Sequence, residues 1–151
     1  MSKYLLYIGL IYAGYRFIKK GYDMTQDQVD YMARTLYGEA RGEDEKGMQA
    51  VANVVMNRVK AGGWYGASVK DVVTKPYQFS CWNKTDANYE KILKATDSQL
   101  KTARRIAENV INGVLPDITG GATHYHNKNI TPYWAASMTK TAEIGNHVFY
   151  K

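Results

Sequence analysis

A chain of 151 residues with 45% hydrophobic and 23% charged side chains has enough apolar material for one buried core, which excludes a disordered polymer. Its single cysteine, Cys81, rules out an intramolecular disulfide scaffold and a multi-cysteine zinc site. The net charge of +6 is spread evenly over both halves of the chain, so it favours contact with a polyanion such as nucleic acid, anionic lipid or bacterial wall without marking a basic tail.

The chain opens with an uncharged run, Tyr4 to Tyr15, preceded by Lys3 and followed by Arg16, Lys19 and Lys20. It is apolar all round, which means deep burial or a membrane surface. It also falls short of the roughly 20 residues that span a bilayer. The basic residues on its C-terminal side favour keeping the rest of the chain in the cytoplasm, and Tyr12-Ala13-Gly14-Tyr15 makes a poor cleavage site. Residues 1–21 are therefore expected to be a segment of their own: a packed helix, or a membrane anchor touching lipid through residues 4–18. Residues 22–151 form the folded domain.

Thr25 with Gln28 three residues later reads as a capping box opening a helix. Val29, Met32, Ala33, Leu36, Tyr37 and Ala40 follow at helical spacing, and the helix should end near Gly42. Asp44 can cap a second helix with the stripe Met48, Val51, Ala52, Val55 and Val59, stopped by Gly62-Gly63. A loop-rich middle runs from Trp64 to Asn88, with a short helix at Ser68–Val73. A third long helix starts at Asp97 or Ser98, buries Leu100, Ala103, Ile106, Ala107, Val110 and Ile111, and stops at Gly113 ahead of Pro116. Beyond Gly120-Gly121 lies a polar and aromatic stretch, Ala122 to Trp134, with which the β-prone His147–Tyr150 can pair. The expected class is α+β, mostly α.

Three segments can carry chemistry. On a wheel of 100° per residue from Val29, Leu36 falls at about −20° and Glu39 at about −80°. The Glu39 carboxyl therefore sits at the border of the buried face. Desolvation disfavours the charged form of a carboxyl, which is the property a general acid needs near neutral pH; a Glu39–Arg41 surface pair at a helix end is the plainer reading. The turn-led Pro76-Tyr77-Gln78-Phe79-Ser80-Cys81-Trp82-Asn83 mixes aromatic faces with amide and hydroxyl groups, as a sugar-binding wall does. A core plug through Phe79 and Trp82 is the alternative. In Thr123-His124-Tyr125-His126, strand alternation would place both histidines on one face. No metal-binding spacing accompanies them or His147, so no metal is expected. Cys81 with a histidine could serve as a thiol nucleophile, but a lone cysteine beside Phe79 and Trp82 is more commonly a small buried hydrophobe. The 13 tyrosines suit sugar recognition, since the ring face stacks on C–H groups while the hydroxyl bonds to polar ones.

Taken together, these segments resemble a known family. Ala33-Arg34-Thr35, Gly38 to Glu43 and Ala50 to Val59 are similar to the cell-wall hydrolase family typified by spore cortex-lytic enzymes, the SleB/CwlJ type. Gln78 to Asn83 resembles its second block. Gly121 to His126, Pro132 to Ala135 and Ile144 to Tyr150 resemble its closing block, so the likeness covers about four-fifths of the chain. It implies a lysozyme-like, lytic-transglycosylase-like single domain with a small irregular β element. It also implies cleavage of peptidoglycan at the N-acetylmuramic acid–N-acetylglucosamine bond, with Glu39 as the catalytic acid. Transglycosylation is favoured over muramidase hydrolysis, because no second carboxylate stands in a recognisable block; Glu43, Asp44 and Asp86 are the candidates. Gln78, Ser80, Thr123, Tyr125 and His126 are expected to orient the sugar, with Trp82 and Trp134 stacking on it or bracing the site.

No cofactor and no metal are needed, peptidoglycan is the partner, nucleic acid is not, and a monomer is expected. The expected setting is bacterial wall lysis outside the cytoplasm. A compact single domain suits a phage endolysin better than a role in spore germination, with export through the N-terminal anchor or holin-dependent release. Two other classes stand beside this reading: a wall amidase or peptidase using Cys81 and a histidine, and a non-enzymatic membrane or nucleic-acid-binding module.

Overall fold

In the computed structural model, residues 25–151 are described. The expectations for residues 1–21, membrane contact through 4–18 included, lie outside them. Among the described residues no helix is long and apolar enough to cross a membrane.

Helix α1 occupies residues 25–40 and buries Val29, Met32, Ala33, Leu36 and Ala40, the stripe its spacing predicts. It stops two residues short of Gly42, and Arg41 and Gly42 form the turn. The Gln28 amide oxygen accepts the Lys70 N–H at 3.2 Å and ties α1 to the next short helix. Asp44 accepts the Gly47 N–H at 2.8 Å and so caps α2 (Glu45–Ala61). Gly62, at φ 64°, ends α2 by donating to the Arg58 carbonyl.

Ser68 caps α3 (Val69–Thr74). A 3-10 turn, Ser80–Trp82, comes next. Helix α4 (Tyr89–Lys94) is not signalled by sequence: it has six residues and only Ile92 buried, too little for a periodic stripe. Helix α5 (Asp97–Ile111) starts where expected, with the capping box at Thr96 and Gln99.

Among the described residues three strands follow: β1 (His124–Asn127), β2 (Lys140–Ile144) and β3 (His147–Tyr150). Their order is β1-β3-β2 and both pairings are antiparallel, with Tyr125 opposite Phe149. The β1–β3 pairing is the one the sequence suggests; β2 is an addition. Gly145, at φ 56°, makes the tight turn between β2 and β3.

Two apolar clusters meet at α2. Val51, Ala52 and Val55 pack with α1, α5, Phe79 and Cys81, while Ala50 and Val54 pack with Ala122 and Phe149 of the sheet side. Helix α2 is thus the axle of a mostly helical α+β domain, and α1 and β1 approach each other across one end of it.

Candidate active site

Gly38 lets the last turn of α1 lie directly on the 3-10 turn. A Cβ at that position would stand 2.6 Å from Cys81 Cβ and 2.9 Å from Cys81 Sγ, so any side chain would force the two segments apart. The close approach brings the Cys81 N–H to 3.2 Å from Glu39 Oε1. From the sheet, the Tyr125 hydroxyl donates to Glu39 Oε2 at 3.3 Å. Both carboxyl oxygens are therefore held, one from each side, and Glu39 is half-buried.

Tyr125 is itself fixed. Its ring stacks on Phe149 at 5.7 Å and meets the edge of His147 at 5.1 Å. Burial, then the nearby Glu39 charge, holds its phenol well above the ordinary tyrosine range, so it is a permanent donor to the carboxyl.

Tyr125 also lines a cleft of about 370 Å³ whose walls include Trp64, Tyr77, Gln78, His124 and Trp134; Glu39 is not among the lining residues and is joined to the cleft through the Tyr125 hydroxyl. Arg58 supports it from α2. Only 8% exposed, it donates from Nε to the Thr123 carbonyl and from Nη1 to Gln78 Oε1, both at 2.8 Å. Its guanidinium also lies over the Phe79 and Tyr65 rings at 5.1 and 5.6 Å. One cation thus locks the second sequence block to the strand that carries Tyr125. Burial pulls its pKa below the ordinary arginine value. The Gln78 Nε2 is buried with no acceptor among the described residues, an unsatisfied donor in the cleft wall.

The family model of the Cell Wall Hydrolase type matches residues 42–150. This chain belongs to the cell wall hydrolase family. Its match begins three residues after Glu39. A spore cortex-lytic enzyme of Halalkalibacterium halodurans is 34% identical over 126 residues, which is 83% of this chain and 35% of that protein. The chain therefore spans about a third of that relative's length.

Among solved structures, the catalytic domain of the germination-specific lytic transglycosylase SleB from Bacillus anthracis superposes with a TM-score of 0.68 at 31% identity. That match covers 83% of this chain and 95% of the other. The catalytic domain of Bacillus cereus SleB gives 0.69 at 31% identity, covering 83% and 91%. The cell wall hydrolase chain has the fold of these catalytic domains.

Of the residues expected to contact sugar in this family member, Gln78, Tyr125 and Trp134 line the cleft. Thr123 contributes its carbonyl to Arg58, and its hydroxyl meets His124 Nδ1 at 3.0 Å. Ser80 is exposed at the start of the 3-10 turn. Trp82 is turned the other way. Its indole N–H donates to Thr35 Oγ1 at 2.9 Å and its ring leans on Tyr31 at 5.3 Å, so it braces α1. His126 is not among the cleft residues; it lies on the sheet face opposite Tyr125, stacked on Tyr150 at 5.3 Å and bonded to its hydroxyl at 3.1 Å. His124 shares that face, as strand alternation predicts, and both rings meet Trp134. Among the described residues no cluster of His, Cys, Asp or Glu is arranged to hold a metal.

Each candidate for a second catalytic carboxylate has a structural task. Asp44 caps α2, and Asp86 accepts the Asn88 N–H at 2.7 Å within a turn. Glu43 reaches across Gly145 to the β2–β3 hairpin, where it accepts the Asn146 backbone N–H at 3.1 Å and its amide nitrogen at 3.0 Å. His147 Nδ1, 3.8 Å from Glu43, makes no hydrogen bond among the described residues, and burial draws its pKa down despite the Glu43 and Glu39 charges.

Cys81 is fully buried, and burial followed by the Glu39 charge pushes its thiol above the ordinary range. A thiolate nucleophile is disfavoured there. Iodoacetamide should therefore leave the native chain unlabelled and fully active, and label it only after denaturation. Rapid labelling with loss of activity would restore the thiol alternative.

Sequence reasoning missed Arg58, Trp64 and Tyr65 as cleft residues. Arg58 carried a signal: it falls three residues after Val55 and seven after Val51, a charge on the buried stripe of α2. Asp117 was missed as well. Its carboxylate accepts from the Thr119 hydroxyl at 2.6 Å, the Thr119 N–H at 2.7 Å, the Gly121 N–H at 2.8 Å and the Asn57 amide at 3.1 Å. Burial opposes the charge, but these bonds prevail and hold the carboxyl below its usual range. The turn it organises leads straight into β1, and Asp-x-Thr-Gly-Gly was a legible turn signal.

Proposed function

We propose that this chain cleaves peptidoglycan glycan strands between N-acetylmuramic acid and N-acetylglucosamine, with Glu39 acting as general acid and then as base. The observation that carries the reading is the Glu39 carboxyl gripped by the Cys81 N–H and by the hydroxyl of Tyr125, a residue that itself lines an aromatic-walled cleft.

In the first step protonated Glu39 gives its proton to the bridging oxygen, and the C1–O bond breaks toward an oxocarbenium-like state. The resulting carboxylate is steadied by its two donors. It then takes the proton of the muramic C6 hydroxyl as O6 bonds to C1. A 1,6-anhydro ring closes, Glu39 regains its proton and no water is consumed.

Inverting hydrolysis would instead need a second carboxylate about 6.5–9.5 Å away to activate water. The engagement of Glu43, Asp44 and Asp86 in the fold favours the transglycosylase route. So does the likeness to the catalytic domain of a lytic transglycosylase.

The setting we read is bacterial wall lysis outside the cytoplasm, of the kind a phage endolysin performs. The net charge of +6 supports adhesion to an anionic wall. Digestion of purified walls followed by mass spectrometry should give 1,6-anhydromuramic ends. Reducing muramic ends alone would replace transglycosylation by hydrolysis.

A further inference from the structure

The turn after α3 holds a strained residue that nothing in the fold explains. The Lys75 carbonyl accepts the Gln78 N–H at 3.1 Å, which closes a β-turn around Pro76 and Tyr77. Pro76 fits the second position, where its ring presets φ. The third position stands at φ 66°, a place for glycine or asparagine, and is occupied by Tyr77. It is the only non-glycine residue at positive φ among the described residues.

Strain of this kind persists when packing over-determines it or when function uses it. Packing does not over-determine it here. Tyr77 is 93% exposed, and among the described residues it makes no ring contact and no side-chain hydrogen bond. Its neighbour in the cleft wall, Trp64, is 70% exposed. Trp64 is nonetheless held in place, because the Lys75 ammonium sits 4.2 Å above its ring and donates to its carbonyl. Two aromatic rings thus stand ready, one on a stiff turn and one pinned by a cation, in the wall of the cleft that contains Tyr125.

We propose that Tyr77 and Trp64 form a stacking subsite for an N-acetylhexosamine ring of the glycan strand, away from the bond that meets Glu39. The inference rests on the glycan-strand reading above. The C–H face of a pyranose matches an aromatic face, and the Trp64 ring, already held by Lys75, loses little conformational freedom on binding. The αL turn sets the direction of the Tyr77 Cα–Cβ bond, and so the side of the cleft from which its ring approaches.

The test measures binding, so that it does not depend on turnover. Peptide-stripped glycan strands and an N-acetylglucosamine hexamer are titrated into the Glu39→Gln chain, with and without Tyr77→Gly. Glycine suits φ 66°, so Tyr77→Gly should melt at the same temperature or higher and yet bind the strands about tenfold more weakly. A structural role for the ring predicts the opposite change in melting temperature. Should Tyr77→Gly fail to fold, Tyr77→Leu keeps the bulk and removes the aromatic face, and the same weakening is required. Unchanged affinity in the variant overturns the proposal, as does absence of binding to either probe. The anhydro-product assay decides the glycan-cleaving reading separately, on the unmodified chain.

Discussion

Glu39→Gln should abolish wall lysis while the fold remains intact. Glutamine has the same shape, and its carbonyl oxygen can still accept the Cys81 N–H that meets Oε1 at 3.2 Å. The lost property is the proton. A positioned acid or base contributes about 10²–10⁴ in rate, and the proposed cycle uses Glu39 as both. The lysis rate should therefore fall by at least about 10³-fold. Turbidity loss of a wall suspension measures this, and circular dichroism with a melting curve checks the fold. Residual activity above about a tenth of the unmodified chain would remove Glu39 from the centre of the mechanism.

Gly38→Ala should be nearly as damaging, without touching any reacting group. The added methyl would lie 2.6 Å from Cys81 Cβ and 2.9 Å from both Cys81 Sγ and Ile92 Cγ2. These atoms are fully buried and have nowhere to retreat. Overpacking of this kind costs about 1–3 kcal/mol. Alanine offsets part of this through helix propensity, by up to about 1 kcal/mol in a helix interior and less in a last turn. Overpacking therefore wins, and urea unfolding should show a lower midpoint.

The catalytic effect should be larger than the stability effect. The 3-10 turn that must yield is the one whose Cys81 N–H holds Glu39. A misplacement of about 1 Å can cost about 10²-fold in rate. A Gly38→Ala chain as stable and as active as its parent would show that the close approach of α1 to Cys81 does not set the acid's position.

The parts of this fold that were legible in the sequence are those fixed by local rules. The stripes of α1, α2 and α5 follow from helical period, and Asp44, Gly62 and Thr96 mark ends through bonds spanning four residues or fewer. Glu39 could be placed at the edge of a buried face for the same reason. Long-range choices were not legible. Whether the Trp82 indole faces a cleft or a helix depends on Thr35, 47 residues away in the chain. Glu43 looks like a spare acid until Gly145 and Asn146 arrive beside it from a separation of about a hundred residues. Helix α4 buries a single side chain, so its periodicity was never written in its residues. In Pro76-Tyr77, proline announces a turn, but tyrosine argues against the backbone shape it adopts.

Because β3 is translated after both strands it pairs with, the sheet has no middle while the ribosome is still short of His147. A nascent chain reaching only Ile144 already contains Glu39, Cys81 and Tyr125. Its Tyr125 still lacks the Phe149 ring it stacks on, and Glu43 lacks the Asn146 it grips. A stalled or prematurely terminated product thus carries Glu39 and its donor Tyr125 without the Phe149 ring that braces that donor, and the brace arrives only with the β2–β3 hairpin.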